Sequence, residues 1–398
     1  MRILFCNYEY PPLGGGGGVV MAALARQLAK KHEITVLTSR AGQLPAVEIE
    51  DRVRVIRVPV FFRKELAVAN FPSMFAYLPS GFLRGLSLSR ESAFDVINTH
   101  FVVPTGPLGH ALSRMYRVPN VLSVHGGDLF DPSKASSPHR HAPLRGAVRW
   151  LLRAADAVVG QSQDTVRHVK QIYGVDRATQ LIPLGIERPP APQHVNRAAL
   201  GLPEDAFVLV TIGRLVARKA TVQLVDILAA SGLKDAYLLV IGSGPDAAAI
   251  SERAQATGLS QRVRLLGQVS DAQKYAALEV SDAFVSTSQH EGFGLVFLEA
   301  MAQGLPVVCY DKGGQTDFLA TGETGEVVPL NDQSRFKEAL LRVHADADAR
   351  RRYGARNLER VEQFFIDTCA ARYEQVFEEV IAKRAPQAAR RSAVSSSP

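Results

Sequence analysis

Two glutamates stand eight positions apart in the stretch DAFVSTSQHEGFGLVFLEAMAQG, residues 282–304. The pattern predicts a strand at 283–286, a loop containing glycine, and then an apolar helix. Glu291 lies in the loop and Glu299 inside the helix. Because apolar residues flank Glu299, it should be buried and should need a hydrogen-bonding partner. The cis-diol of a ribose is one candidate, since a single carboxylate can accept from both hydroxyls. A structural salt bridge is the alternative.

A pair of basic residues follows the buried strand FVLVTI at 207–212. Gly213-Arg214-Leu215 comes directly after this strand, and Lys219 lies five residues beyond Arg214. One planar guanidinium and one ammonium just past a strand suit the two phosphates of a nucleoside diphosphate. In isolation such residues usually form a solvated turn.

Two histidines each end a predicted strand in the first half of the chain. DVINT leads into His100, and VLSV leads into His125, which is followed by Gly-Gly-Asp128. A lone histidine at a strand end more often has a packing or hydrogen-bonding role than a catalytic one.

Five consecutive glycines, 14–18, follow the first predicted strand and a Pro-Pro pair, and a helix is predicted at 20–31. Glycine backbone before a helix can approach a phosphate closely. The glycines come too far after the strand for the dinucleotide fingerprint of a Rossmann domain. A flexible surface loop is the simpler interpretation.

The elements that must position these residues alternate between strands and helices in both halves. A chain of 398 residues is too long for one ordinary core. The run PLGIERPPAP at 183–192 is a linker, because its four prolines break regular structure. We therefore expect an α/β protein with two doubly wound parallel-sheet, Rossmann-like domains facing across a cleft. The predicted divisions are a first domain at 1–185, a linker at 186–199, a second domain at 200–365, a helix at 366–384 and a disordered tail at 385–398.

The net positive charge of the chain comes from its first half. Residues 1–185 carry 22 Lys and Arg against 13 Asp and Glu, whereas residues 186–398 carry 24 against 26. Such a bias suits an anionic partner, for example an acidic lipid or a phosphorylated glycan. No RNA-binding aromatic motif or recognition helix is present, so no nucleic-acid partner is expected. The absence of a long apolar run and of a signal peptide, with three isolated cysteines, predicts a cytoplasmic protein.

Two segments could dock on a membrane surface. Residues 60–90 combine aromatic residues with Arg and Lys, and residues 138–153 predict an amphipathic helix with a basic side. Docking on the inner face of the membrane and an ordinary core with a solvated basic face are equally good interpretations. The motif HADAD at 344–348 has no strand before it and is predicted to connect two helices, so no metal and no cofactor are expected.

The spacing Glu-x7-Glu with Glu-Gly-Phe-Gly after a strand resembles the signature of the retaining glycosyltransferases of family 4, the group 1 type, which have the GT-B fold. The resemblance runs from residue 2 to about residue 368. It implies that Glu299 binds the ribose of the nucleotide. It also implies a set of groups that hold the donor sugar, namely Glu291, Phe293, Gly294 and Leu295.

Other matches extend the resemblance into both halves. Arg214 and Lys219 resemble the family's phosphate site, in which Ala220 stands where glycine is usual. Gly15 and Gly16 match a pair that reaches the diphosphate and the acceptor, and the backbone near Val269 would hold the base. His125 resembles a histidine that contacts the donor sugar. The remaining assignments are weaker and lie on the acceptor side, His100 and Asp128. The last helix of relatives crosses back to the first domain.

The resemblance predicts transfer of a hexose, without a metal ion and with retention, from a nucleoside diphosphate sugar. UDP is the favoured nucleotide, and the acceptor is a glycan or lipid-linked hydroxyl of polysaccharide biosynthesis. Three alternatives remain open: a nucleotide-sugar epimerase, a sugar phosphorylase, and a glycan- or membrane-binding protein without catalytic activity.

Overall fold

The computed structural model describes residues 1–61, 71–132, 134–176 and 178–395. Its chain divides into two compact units, residues 1–185 with 366–398, and residues 186–365. The segment 62–70, within the aromatic and basic stretch discussed above, lies outside the described residues.

The first unit alternates strands and helices from its first residues. Its elements are β1 (Arg2–Cys6), α1 (Gly16–Leu28), β2 (Glu33–Arg40), β3 (Val47–Glu50), β4 (Val53–Pro59), α2 (Phe71–Glu91), β5 (Val96–His100), α3 (Gly106–Tyr116), β6 (Asn120–Val124), α4 (Ala142–Ala154), β7 (Ala157–Gly160), α5 (Gln163–Gln171) and β8 (Thr179–Leu181).

The second unit repeats the alternation. Its elements are β9 (Phe207–Ile212), α6 (Val222–Ser231), β10 (Ala236–Ile241), α7 (Ala247–Ala256), β11 (Val263–Gly267), α8 (Asp271–Glu279), β12 (Ala283–Ser286), α9 (Leu295–Met301), β13 (Val307–Tyr310), β14 (Gly325–Val328), α10 (Gln333–Ala345) and α11 (Ala347–Val361). A final helix, α12 (Ile366–Ser395), belongs to the first unit.

Each unit is built on one sheet. The first sheet has the strand order β3-β4-β2-β1-β5-β6-β7-β8, and the second has the order β11-β10-β9-β12-β13-β14. All neighbouring strands are parallel except β3 and β4. The strand order reverses direction between β1 and β5 and again between β9 and β12. Ligands of doubly wound sheets bind at the carboxyl ends of strands beside such a reversal.

Alternate residues of the first sheet face two different helix layers. Leu4, Cys6 and Ile97 pack with α2 and α3, while Ile3, Phe5 and Val96 pack with α1 and α12. The side chains that α12 adds to the core between the first sheet and α1 are Tyr373, Val376, Phe377 and Val380. The sheet is therefore covered on both faces, which explains its nearly unbroken apolar strands.

The predicted fold class is confirmed, with two α/β units that are each built on one largely parallel sheet. The antiparallel edge strand β3 was not predicted, because only four residues with two glutamates carry its alternation. The helix α12 continues to Ser395, so the structure differs from the expected disordered tail over residues 385–395. Alanine and arginine dominate this segment, and both favour helix. In the described part of the chain, no helix has both the length and the apolar character needed to cross a bilayer.

Candidate functional site

The loop after β9 carries the basic residues that the sequence singled out. Arg214 is exposed at the first turn, and Lys219 ends a short 3-10 helix at Ala217–Lys219. The next residue, Ala220, closes the turn with φ 47°, in the left-handed region. A small cavity beside this loop is lined by the following residues: Thr211, Ile212, Gly213, Arg214, Leu215, Lys219, Thr221 and Ser286.

Glu291 is buried and lies against two cations. The Lys219 ammonium contacts its Oε1, and the Arg218 guanidinium is 3.7 Å from its Oε2. Burial by itself would raise the pKa of Glu291, but Lys219 and Arg218 outweigh burial and hold this pKa below its usual value. The carboxylate is therefore ionised at neutral pH. Sequence reasoning missed Arg218, whose guanidinium also donates to the carbonyl of His290.

Backbone contacts fix the position of Glu291. Its carbonyl accepts from the amide of Gly314 at 2.9 Å, and its own amide donates to the carbonyl of Lys312 at 3.3 Å. Between them, Gly313 has φ 119°, and a Cβ there would lie 2.1 Å from the Glu291 carbonyl oxygen. This position therefore requires glycine.

The second glutamate has a cationic partner that the sequence did not indicate. The Lys274 ammonium in α8 is 2.8 Å from Oε1 of Glu299 in α9 and 2.9 Å from Asp271. Burial raises the pKa of Glu299, and Lys274 opposes that rise. Burial alone would lower the pKa of Lys274, but Glu299 and Asp271 reverse that effect and the pKa is raised.

The start of α9 brings together the predicted backbone groups. Gly294 is the residue before the helix, with φ 97°, and Leu295 is the first helical residue. The Phe293 side chain is buried and packs 5.3 Å from the ring of Phe318, so only its backbone is available to a ligand. Val269 lies two residues beyond the end of β11.

The first unit contains the other predicted residues. Gly15 is the residue before α1, and its amide donates to Oε2 of Glu9 at 3.3 Å. Helix α1 begins at Gly16, so glycines predicted as loop form its first turn. No Cβ fits at Gly17, because it would lie 2.3 Å from the ring of Phe101.

The structure places His100 and His125 in direct contact. Nδ1 of His100 is 2.9 Å from Nε2 of His125. Both oxygens of Asp128 accept backbone hydrogen bonds, from Val102 at 2.7 Å and from His125 at 2.9 Å. Burial raises the pKa of Asp128 to about 6 and lowers the pKa of His125 to about 4. The Asp128 carboxylate therefore ties the loops after β5 and β6 together.

The motif at 344–348 has structural contacts. Nε2 of His344 is 2.9 Å from Oδ2 of Asp235, and Asp346 caps α11 by accepting from the amide of Ala349 at 2.8 Å. Within the described residues, no three His, Cys, Asp or Glu side chains form a group that could hold a metal ion.

Family models match both parts of the chain. The model for Glycosyltransferase Family 4 matches residues 14–188, and the model for Glycosyl transferases group 1 matches residues 192–360.

Relatives of known name align over nearly the whole length. The chain is 29% identical to a D-inositol 3-phosphate glycosyltransferase of Kineococcus radiotolerans, covering 94% of this chain and 92% of the relative. It is 26% identical to the N-acetyl-alpha-D-glucosaminyl L-malate synthase of Bacillus anthracis, covering 94% and 96%.

Solved structures show the same fold. Sucrose-phosphate synthase from Thermosynechococcus elongatus superposes with a TM-score of 0.81 at 25% identity, covering 96% of this chain and 99% of the other. The structure of Anabaena HepE in complex with UDP superposes with a TM-score of 0.77 at 20% identity, covering 95% and 100%.

Proposed function

The chain belongs to the glycosyltransferases of group 1 and family 4, with the GT-B fold, and from this premise we propose that it transfers a hexose from UDP to an acceptor hydroxyl with retention of configuration. The observation that best supports this proposal is the contact of the buried, ionised Glu291 with Lys219 and Arg218 in the loop after β9. A carboxylate and two cations in one place match the two ends of a sugar diphosphate, its hydroxyls and its phosphates.

The reaction breaks the bond between the anomeric carbon and the β-phosphate oxygen. The acceptor oxygen then bonds to that carbon on the same face, and its proton passes to the leaving phosphate. Negative charge grows on the diphosphate as the bond breaks. Lys219, Arg214 and the amides of Gly15 and Gly16 are proposed to stabilise this charge. Lys219 acts strongly on such charge because its side chain is only 16% exposed and little water screens it, whereas Arg214 is exposed.

The remaining donor contacts follow from the same proposal. Glu291 accepts hydrogen bonds from sugar hydroxyls, with the amides near Gly294 and Leu295 beside it. Glu299 accepts from the ribose hydroxyls, and the Lys274 ammonium, 2.8 Å from its Oε1, favours the charged form that this role needs. The backbone around Val269 is assigned to the base. From the first unit, His125 is assigned to the sugar, and His100 and Asp128 are assigned to the acceptor side.

Two observations support the choice of substrates. HepE, which shares the fold, holds UDP in one structure and UDP-glucose in another, which favours a UDP sugar. The basic bias of residues 1–185 favours an anionic acceptor. A lipid-linked glycan and a phosphorylated polyol both meet this description, and the first is the one we propose.

We further propose that the first unit docks on an anionic membrane surface. Helices α2 and α4 flank α3, and they expose Phe75, Leu83 and Trp150, which are 62%, 66% and 55% exposed. Exposed arginines stand near Trp150 in α4, including Arg145 and Arg149. Cosedimentation with phosphatidylglycerol vesicles at low salt should capture the protein, and Trp150→Ser should weaken capture. Equal pelleting with and without vesicles would contradict the proposal.

A product assay tests the proposed function. The protein is incubated with UDP-, GDP- or ADP-hexoses and candidate acceptors, and products are identified by mass spectrometry and the anomeric proton signal. We expect an α-linked product from a UDP-α-hexose, with activity retained in EDTA. An epimer formed without acceptor, or product formation that requires inorganic phosphate, would identify the alternative enzymes instead.

A matched pair of variants tests the role of Glu291. Glu291→Gln should reduce turnover by about two orders of magnitude, because a neutral amide cannot replace the ionised carboxylate. Glu338→Gln, at an exposed position of α10, is the control and should leave turnover unchanged. Equal rates in the two variants would remove Glu291 from the site.

A further inference from the structure

The side chain of Glu9 is folded against the glycine-rich loop that precedes α1. Glu9 is half-buried, and its Oε2 accepts from the backbone amide of Gly15 at 3.3 Å. Gly14 has φ 94°, and a Cβ there would lie 2.3 Å from the same oxygen. Gly15 is the residue before the first turn of α1, so the carboxylate stands at the amino end of a helix of 13 residues.

The amino end of α1 favours an anion. The structure describes α1 in full, and its first turn has no acidic side chain and no side-chain cap. Helix amino ends leave backbone amides without acceptors and carry a partial positive charge. Glu9 therefore supplies an anion to this end from outside the helix.

A buried side chain at the end of β1 belongs to the same place. The backbone amide of Asn7 donates to the carbonyl of Leu37 at 3.2 Å, so Asn7 continues the path of β1. Because side chains alternate along a strand, Asn7 lies on the same face of the sheet as Ile3 and Phe5. Helix α1 packs on that face. The Asn7 carboxamide therefore lies on the side of the sheet where α1 begins.

The orientation of the Asn7 carboxamide leaves one donor over. Its Oδ1 accepts from the backbone amide of Glu9 at 3.3 Å, and a backbone amide can only donate. Nδ2 is therefore the other end. Asn7 is 0% exposed, and Nδ2 has no hydrogen-bond partner within the described part of the chain. A buried donor without an acceptor is costly, so Nδ2 points to a ligand that brings an acceptor oxygen.

We infer that Nδ2 of Asn7 and the amide of Gly15 form a subsite for a terminal phosphate, that Glu9 occupies this subsite when no ligand is bound, and that its charge makes the enzyme release the product nucleoside diphosphate in preference to the sugar donor. This inference rests on the proposed function, which assigns the amides of Gly15 and Gly16 to the diphosphate. Glu9 is then a specificity-determining residue, because it competes with the phosphate for one amide.

The charge of the ligand decides how strongly Glu9 opposes it. In a nucleotide sugar the β-phosphate is esterified on both sides and carries one negative charge. After transfer of the sugar this phosphate is terminal, and its second proton has a pKa of about 6, so it carries nearly two charges at neutral pH. A carboxylate beside it repels the product more than the donor.

The first test removes the charge and keeps the shape. Glu9→Gln retains an oxygen that can accept from Gly15, and calorimetric titration should show the Kd of UDP lowered about fivefold and that of UDP-glucose about twofold. Glu33→Gln, at the exposed amino end of β2, removes the same charge and should change neither Kd. An unchanged or raised Kd of UDP in Glu9→Gln would overturn the inference, and so would equal gains for UDP and UDP-glucose.

The second test predicts the opposite sign for the neighbouring residue. Asn7→Ala removes the unmet donor and should raise the Kd of UDP about tenfold. A thermal unfolding curve without ligand shows whether this variant is folded at the temperature of the titration. An unchanged Kd in folded Asn7→Ala would overturn the subsite. If Asn7→Ala does not fold, the result for Glu9→Gln decides alone.

Product inhibition tests the same residue in turnover. In initial-rate assays with added UDP, Glu9→Gln should have a lower inhibition constant for UDP and an unchanged KM for the acceptor. A raised KM for the acceptor with an unchanged inhibition constant would assign Glu9 to the acceptor and overturn the inference. If the unsubstituted protein bound none of UDP, GDP and ADP, the proposed function itself would fail. Binding of UDP that Glu9→Gln leaves unchanged would remove the inference alone.

Discussion

Glu291 is a buried carboxylate and Glu299 a partly buried one, and their pKa values move in opposite directions. Two cations face Glu291, so its pKa falls despite burial, whereas one lysine faces Glu299, whose pKa rises. The second cation beside Glu291 and the negative charge of Asp271 near Glu299 account for this difference, since burial alone raises the pKa of any carboxyl group.

Replacing Lys274 tests this explanation. Lys274→Met leaves the Glu299 carboxylate without its ammonium and should lower the free energy of unfolding by about 3 kcal/mol at pH 8. The loss should be smaller at pH 5, because a carboxyl group with a raised pKa takes up a proton and is stable when neutral. Chemical denaturation at both pH values measures the difference. The double variant Lys274→Met/Glu299→Gln should recover most of the stability, and no recovery would contradict the pairing.

For His125, the folded protein is expected to lose stability as the pH falls, which is opposite to the pH dependence of the Lys274→Met effect. Its folded pKa is lowered to about 4, so below pH 6.5 the unfolded chain binds a proton that the folded protein does not. Stability is therefore lost as the pH falls from 6.5 towards 4, by about 2 kcal/mol at pH 5 from this residue. His125→Asn should reduce the stability difference between pH 7 and pH 5 by that amount. An unchanged difference would mean that the ring is not buried as a neutral group.

At the scale of elements, the turns around the site depend on unusual backbone angles. The turn after β9 ends at Ala220 in the left-handed region, which glycine adopts more readily than alanine. A non-glycine residue there costs about 1–2 kcal/mol. Ala220→Gly should therefore stabilise the protein by about 0.5–1 kcal/mol, after allowing for the greater freedom of glycine in the unfolded chain. Thermal unfolding measures this change. Ala217→Gly, three residues earlier in the same turn, should not stabilise.

Sequence patterns predicted the elements better than the partners of the charged side chains. The strand at 283–286 and the order strand, loop, helix around Glu291 follow from apolar periodicity, which acts over a few residues. The partners of the two glutamates come from elsewhere in the chain, since Lys274 is 25 residues from Glu299 and Arg218 is 73 residues from Glu291. Periodicity within one segment carries no signal for such pairs.

At the scale of the whole molecule, the chain order and the packing order differ. Helix α12 follows the second unit in sequence but forms part of the core of the first. Phe377→Ala should therefore destabilise the first unit by about 3–5 kcal/mol, because the ring is fully buried. The fluorescence of Trp150, the sole tryptophan, reports unfolding of that unit. Phe75→Ala removes an exposed ring and should change stability by less than about 0.5 kcal/mol.

The central claim is that cations after β9 bind the diphosphate of a nucleotide sugar. Calorimetric titration with UDP, GDP and ADP tests it most directly, because all three carry the same diphosphate. We expect at least one to bind, with Lys219→Met weakening its Kd at least about tenfold through loss of a charged hydrogen bond. Lys234→Met, at an exposed position of the second unit, should leave the Kd unchanged. Equal affinities for the two variants, or no binding of any nucleotide by the unsubstituted protein, would contradict the account.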